Sequence, residues 1–294
     1  MADGDEESRL THESFAAIAN AHRMEILRVL WFHGPLSFSD CYELVSVDDT
    51  GQFTYHLNQL RDHFVVKSGE EYKLLHPGKE IVMTILSHVG AADPFRSPIS
   101  LDADCSSCGS PMQAVSSAGW VHIDCRSCEK VYSSFPFPLA GLRDRSPDEF
   151  LPVYDRWIRR TYALVHAGIC PNCSSPMATD VVPDAEPEPG LPVVFDHRCG
   201  HCRLEIFTPP GTGLLEHPAV VSFYHRHGRD LPGIPHWRLE WLFDGTCIDV
   251  LADDPFEYTI DVVLDDRRLR ATLDETGSCI ATELETVSTD GRSG

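Results

Sequence analysis

Lysine is nearly missing from this chain: Lys67, Lys73, Lys79 and Lys130 are the only four among 24 basic residues. Set against 45 Asp and Glu, they leave a formal net charge of −21. The overall basic footprint of a typical nucleic-acid binder is therefore lacking. Long apolar runs are lacking too. No stretch approaches the roughly 18 residues that a membrane span needs, and no apolar leader opens the sequence, so a cytoplasmic chain without a membrane partner is expected. There is no Gly-rich phosphate loop, no Gly-x-Ser-x-Gly elbow and no His-Glu-x-x-His pair, which removes the common nucleotide-binding, hydrolase and metalloprotease readings. No enzymatic role is expected.

What the chain does have is cysteine in a regular pattern. Eight of its eleven cysteines form four Cys-x-x-Cys knuckles, at Cys105/Cys108, Cys125/Cys128, Cys170/Cys173 and Cys199/Cys202. A tetrahedral Zn²⁺ takes four thiolates at about 2.3 Å, and a two-residue spacer lets one tight turn aim two sulfurs at one ion. Two knuckles thus make one site and four make two. The first two knuckles are separated by 16 residues, close to the ribbon-type spacing, and the last two by 25, a gap lengthened by an acidic insertion. Cys105-Ser-Ser-Cys-Gly-Ser-Pro-Met112 and Cys170-Pro-Asn-Cys-Ser-Ser-Pro-Met177 also match beyond their cysteines, as copies of one unit would. Disulfides and redox Cys-x-x-Cys chemistry are the competing readings, and the even pairing favours structural zinc, two ions per chain. Four thiolates close the coordination shell, so catalytic zinc is not expected. The deaminase pattern is absent as well, since Pro171 follows its cysteine rather than preceding it.

The order of elements is legible in outline. Residues 1–10 read as an acidic tail. Apolar residues from Phe15 to Trp31 recur at helical spacing until Gly34-Pro35 stops them. A short helix fits Phe38 to Val45 with Ser37 as its cap. A third follows, capped by Asp48, Asp49 or Thr50, with Phe53, Leu57 and Leu60 on one face. Phe64 to Lys67, a Ser-Gly-Glu turn and Glu71 to Leu75 signal a hairpin. Three helices and a hairpin make a winged helix-turn-helix over 11–90. Within it, Ile18-Ala-Asn-Ala-His-Arg-Met-Glu-Ile-Leu-Arg-Val-Leu30, Gly34-Pro-Leu-Ser-Phe38 and Thr54-Tyr-His-Leu-Asn-Gln-Leu60 resemble the ArsR-type winged helix-turn-helix of archaeal transcription regulators. Metal-sensing members of that family carry two close cysteines in the helix before the recognition helix. Here only Cys41 lies there, which argues against a metal switch at that place.

Residues 91–104, with Pro94 and Pro98, read as a linker. Zinc ribbon 1 is expected over 105–140. A connecting helix over 146–168, started by Ser146-Pro-Asp-Glu149, is expected to hold the ribbons apart. Zinc ribbon 2 follows over 169–212, with an acidic insertion from Pro183 to Gly190. A separate C-terminal module over 213–288 combines helical stretches at about 214–227 and 235–243 with four antiparallel strands. The expected class is thus α+β and multidomain. The arrangement resembles haloarchaeal regulators with an ArsR-like N-terminal domain and a zinc-bearing C-terminal region, and the acidic composition resembles that of halophilic proteins.

That resemblance implies transcription regulation by a homodimer on double-stranded DNA. With Phe53, Leu57 and Leu60 inward, the outward residues of the third helix are Gln52, Thr54, Tyr55, Asn58, Gln59 and Arg61. Asn58 and Gln59 suit adenine, Arg61 suits phosphate or guanine, and Lys67 and Lys73 on the wing suit flanking backbone. The charge of residues 1–90, 7 basic against 14 acidic, favours an alternative in which the winged helix and ribbons dock onto proteins of the transcription or RNA machinery. Arg156, Arg159 and Arg160 beside Trp157 read as a solvated face, and the fifteen histidines as structural or surface residues.

Overall fold

The computed structural model describes residues 12–89, 97–143, 145–183 and 191–287. The chain divides into two compact units, 1–92 and 93–294. The acidic tail, residue 90, residues 91–96 of the expected linker and residues 184–190 of the acidic insertion lie outside the described residues. Among the described residues no helix is long and apolar enough to cross a membrane.

In the first unit the helical run expected from Phe15 to Trp31 is two helices, α1 over 12–18 and α2 (Ala21–His33). The break has a local cause. The Asn20 side chain accepts hydrogen bonds from the backbone N–H groups of His22 (3.0 Å) and Arg23 (3.3 Å), and so caps a new helix instead of continuing the old one. β1 (Leu36–Ser37), α3 (Phe38–Glu43) and α4 (Thr50–Leu60) follow, with Ser37 capping α3 and Asp49 capping α4. β2 (Val65–Ser68) and β3 (Glu71–Leu74) form the expected hairpin, whose turn residue Gly69 takes φ 66°, a conformation that favours glycine. Strand order is β1-β3-β2, all antiparallel. One helix went unread in the sequence: α5 (His76–His88), which buries Gly78 and Val82. The apolar core joins Ile26, Leu27, Leu30, Cys41, Phe53, Leu57, Leu60, Val65 and Val82.

The second unit opens with a four-stranded antiparallel sheet, β4 (Ile99–Asp104), β5 (Pro111–Ser117), β6 (Trp120–Cys125) and β7 (Val131–Pro136), in sequence order. The last six residues of the expected linker are therefore strand β4. Leu101 is buried there, an apolar side chain that a solvated linker would leave in water. α6 (Ala140–Arg143) leads to α7 (Pro147–His166), begun by the expected capping box between Ser146 and Glu149. A three-stranded sheet follows, β8 (Met177–Pro183), β9 (Val193–Cys199) and β10 (Glu205–Thr208), then α8 (Pro218–Arg226) and α9 (Glu240–Phe243) among short 3₁₀ turns. The meander β11 (Ile248–Asp253), β12 (Phe256–Leu264), β13 (Arg267–Leu273) and β14 (Cys279–Thr286) closes the chain.

The ribbons, the helix between them and the C-terminal strands are not independent modules. A single apolar core runs from Leu101 through α7 and β9 to Leu273. Phe135 of β7 meets Tyr162 of α7 edge-on at 5.6 Å, Tyr132 meets Phe243 at 5.0 Å, and Phe195 of β9 packs on Tyr258 of β12 at 5.9 Å. Small sheets of three or four strands bury too little surface alone. α7 is accordingly a core helix and not a solvated spacer: Phe150, Tyr154, Ile158, Tyr162 and Val165 are all buried.

Candidate metal centres

All four knuckles use one backbone device. The first cysteine's N–H donates to the carbonyl five residues on, Ser110, Lys130, Ser175 and Leu204 in turn, each at 2.9 Å. The residue after the second cysteine, Gly109, Glu129, Ser174 or Arg203, takes a positive φ between 58° and 70°. Such a turn folds the chain back over the sulfurs and leaves N–H groups to donate to them. Ser107 N–H reaches Cys105 Sγ, Ser127 N–H reaches Cys125 Sγ and Cys202 N–H reaches Cys199 Sγ, all at 3.4 Å. The repeat extends to the sheets. Met112 pairs with Cys125 across β5 and β6 as Met177 pairs with Cys199 across β8 and β9, so each metal corner occupies the same place on a three-stranded meander.

The sulfurs converge into two groups, Cys105/Cys108/Cys125/Cys128 and Cys170/Cys173/Cys199/Cys202, within each of which all ligand atoms lie within 4.8 Å of one another. The shortest separations are 3.4 Å for Cys108 to Cys125 and 3.6 Å for Cys105 to Cys128, Cys170 to Cys202 and Cys173 to Cys199. A tetrahedron with 2.3 Å arms has edges of about 3.8 Å, whereas a disulfide would bring sulfurs to about 2.05 Å. The geometry fits a four-coordinate metal ion and excludes sulfur–sulfur bonds. The electrostatics agree. Burial raises the Cys105 thiol, but hydrogen bonds from the Tyr132 hydroxyl and the Ser107 and Cys108 amides outweigh it and bring it to about 6. Hydrogen bonds from the Ser175 side chain and amide take Cys173 to about 6. Within the same groups the Lys130 amide lowers the Cys128 thiol, but desolvation among the crowded sulfurs and its three thiol neighbours outweigh it and push it up to about 12, and burial takes Cys170 to about 11. Four sulfurs this close cannot all ionise without a cation among them.

Around the first group stand residues that the sequence did not single out. Tyr132 Oη donates to Cys105 Sγ at 3.3 Å and accepts from Ser106 N–H at 2.8 Å. Lys130 Nζ donates to Ser107 Oγ at 3.2 Å and to the Phe243 carbonyl at 2.6 Å, tying the second knuckle to the first and to α9. The second group is less open, with Cys173 and Cys202 half-buried where Cys108 and Cys128 are exposed. No histidine joins either group among the described residues. His201 is exposed, and the fully buried His197 hydrogen-bonds Thr179 at 2.9 Å and Thr208 at 3.0 Å.

A buried polar cluster stands where the sequence predicts a solvated face. Arg159, expected on a solvated face, is buried, donating Nε–H to Asp155 at 2.9 Å and Nη2–H to the Ile234 carbonyl at 2.6 Å. Asp155 also accepts from the backbone N–H and the Nδ1 of His236, both at 2.7 Å. The i,i+4 spacing of Asp155 and Arg159 was the available signal. Arg160 does stay on the surface side, over the Trp157 ring at 5.8 Å.

In the first unit α4 buries Phe53, His56, Leu57 and Leu60. Gln52, Thr54, Tyr55, Asn58 and Gln59 are exposed on its other face, as are Arg61, which follows the helix, and Lys67 and Lys73 on the hairpin. Cys41 is buried in α3, and burial takes its thiol up to about 11, which suits a core residue better than a ligand.

Two family models match the sequence, both described as domains of unknown function: DUF7351 over residues 102–279 and DUF7347 over residues 11–85. No curated protein and no solved structure matches it.

Proposed function

The chain belongs to the DUF7351 family, and we propose that it is a DNA-binding transcriptional regulator of ArsR-like type. In this reading residues 11–90 form a winged helix-turn-helix that acts as a homodimer on double-stranded DNA. Each cysteine group binds one structural Zn²⁺, and the metal-bearing unit senses a signal or contacts other proteins. The observation that carries it is the two-sided composition of α4: an apolar side sunk in the core, and an uninterrupted exposed side of amide, hydroxyl and phenol groups. Those groups hydrogen-bond base edges in a major groove. The β1-β3-β2 sheet and the lysines on the β2–β3 hairpin support a wing against flanking phosphate. Both cysteine groups have the closed shell of structural zinc, with no position for water, which supports a non-enzymatic role.

The net acidity of this segment favours the second reading, docking of the winged helix and ribbons onto proteins of the transcription or RNA machinery. Selection from a random duplex library with zinc-loaded protein at about 2 M KCl, where acidic surfaces are screened, separates the two. Enrichment of a palindrome with half-sites about one helical turn apart supports the dimeric regulator. No enrichment with demonstrably folded protein rejects it in favour of docking.

A further inference from the structure

The two metal centres differ in what solvent can reach. In every knuckle the first cysteine is buried: Cys105, Cys125, Cys170 and Cys199 are 1–3% exposed. The second cysteines divide by centre. Cys108 and Cys128 are exposed, whereas Cys173 and Cys202 are half-buried. A solute arriving at the first centre therefore meets two sulfurs of the ligand set directly. Each of them also rests against a buried sulfur of the opposite knuckle, Cys108 against Cys125 at 3.4 Å and Cys128 against Cys105 at 3.6 Å. A sulfur–sulfur bond of about 2.05 Å would need the closer pair to approach by only about 1.4 Å. The two buried sulfurs are not equally held. Both accept a backbone N–H at 3.4 Å, from Ser107 on Cys105 and from Ser127 on Cys125, but Cys105 also accepts from the Tyr132 hydroxyl at 3.3 Å. Cys125 is the freer of the two to move toward its exposed neighbour.

We propose that the first centre is a modification site for hydroperoxides, at which Cys108 is oxidised and then bonds to Cys125 with release of the Zn²⁺. The Cys108 thiolate attacks one oxygen of hydrogen peroxide, the O–O bond breaks, and Cys108 sulfenic acid and hydroxide result. The Cys125 thiolate then attacks the sulfenic sulfur, the S–S bond forms and a second hydroxide leaves. Two protons from solvent turn both hydroxides into water, so two thiolates supply the two electrons that reduce one peroxide. Two of the four ligands are then gone, and the remaining pair no longer makes the closed thiolate shell that retains zinc. An alkylating electrophile would stop at Cys108; a peroxide is the class that makes use of the second sulfur. The effect reaches past the centre. Lys130, two residues after Cys128, donates to Ser107 Oγ at 3.2 Å and to the Phe243 carbonyl at 2.6 Å, so the knuckles that lose their ion are those that anchor α9. This proposal rests on the zinc reading of the first cysteine group, names the class of signal that the metal-bearing unit senses, and does not depend on what α4 binds.

The test uses the full zinc-loaded chain and hydrogen peroxide. Atomic emission first counts the metal in the untreated chain; a count other than two overturns the zinc reading and the proposal with it. Peroxide is then added with a chromogenic chelator reporting free zinc, and disulfides are mapped by fragment mass after cleavage before Asp124, which puts Cys108 and Cys125 on separate peptides. One ion per chain is expected to leave at least about tenfold faster than the other, because thiolate oxidation follows exposure. A Cys108–Cys125 disulfide should accumulate at the same rate, and dithiothreitol with added zinc should restore the count of two. With two ions bound at the start, any of four results would overturn the proposal: no release, both ions leaving at one rate, a first disulfide among Cys170, Cys173, Cys199 and Cys202, or release without the Cys108–Cys125 bond.

Discussion

Removing Asp155 should cost more than removing any surface charge of this acidic protein. Its carboxylate accepts three hydrogen bonds, from His236 N–H and Nδ1 at 2.7 Å and from Arg159 Nε at 2.9 Å. Burial opposes its ionisation, but the His236 and Arg159 partners prevail and hold its carboxyl below the usual range. Asp155→Ala leaves the Arg159 guanidinium, with a side chain only 10% exposed, a single remaining partner at Ile234. Stranding one member of a buried ion pair costs about 3–5 kcal/mol, and the orphaned His236 amide adds about 1 kcal/mol or more. The expected loss is about 4–6 kcal/mol, a large share of the 5–15 kcal/mol typical of a folded domain. Asp155→Leu combined with Arg159→Met should recover about 2 kcal/mol or more of it, because no charge is then stranded. Urea unfolding at fixed salt and metal measures this by tryptophan fluorescence. A Trp31→Phe background places every remaining tryptophan in the second unit. A loss under about 1 kcal/mol for the single variant, or a double variant no more stable than the single, would refute the reasoning.

Two further outcomes follow from the same packing. Burial holds the His166 imidazole neutral down to about 4 while an unfolded histidine protonates near 6.5. The unfolded chain thus binds the extra proton between these values, and stability falls as pH drops from 6.5 to 4, by about 3 kcal/mol from this group. His166→Gln should reduce the slope of the urea midpoint against pH over that window, the neighbouring His197, which burial holds neutral to about 3, keeping the rest; an unchanged slope would remove His166 as a source. Cys125→Ser should lower the metal content from two to one per chain by atomic emission. Because the ribbons share a core, amide-exchange protection should fall across 97–287 while 12–89 keep theirs; loss confined to 99–136 would show that the first ribbon unfolds alone.

The chemistry of the metal corners was legible because it is local. Knuckle spacing and the Ser-Pro-Met echo each lie within eight residues, and both groups assembled as the spacing required. Helix caps at Ser37 and Asp49, the capping box of α7 and the closing meander were legible for the same reason. What escaped depends on partners far along the chain. Nothing near Leu101 says that β5 will pair with residues on either side of it, so β4 reads as linker. Arg159 looked solvated because its acceptor, Ile234, lies 75 residues away. The helix break at Asn20 is the exception: a local cap signal stood in view and was outvoted by apolar residues on both sides.

The long reach of that shared core sets a schedule during synthesis. Tyr154 leaves the ribosome 104 residues before Tyr258, with which it shares one core; at about 5–20 residues per second this is a wait of about 5–20 s. Through that interval the aromatic side of α7 has the first sheet beside it but lacks the segment around His236 that completes its packing, while both knuckles of the first centre, complete by Cys128, are already able to capture metal. An ion taken up early would pin β5, β6 and β7 together before their final partners exist, making metal supply to the nascent chain a factor in how much of it reaches the folded state.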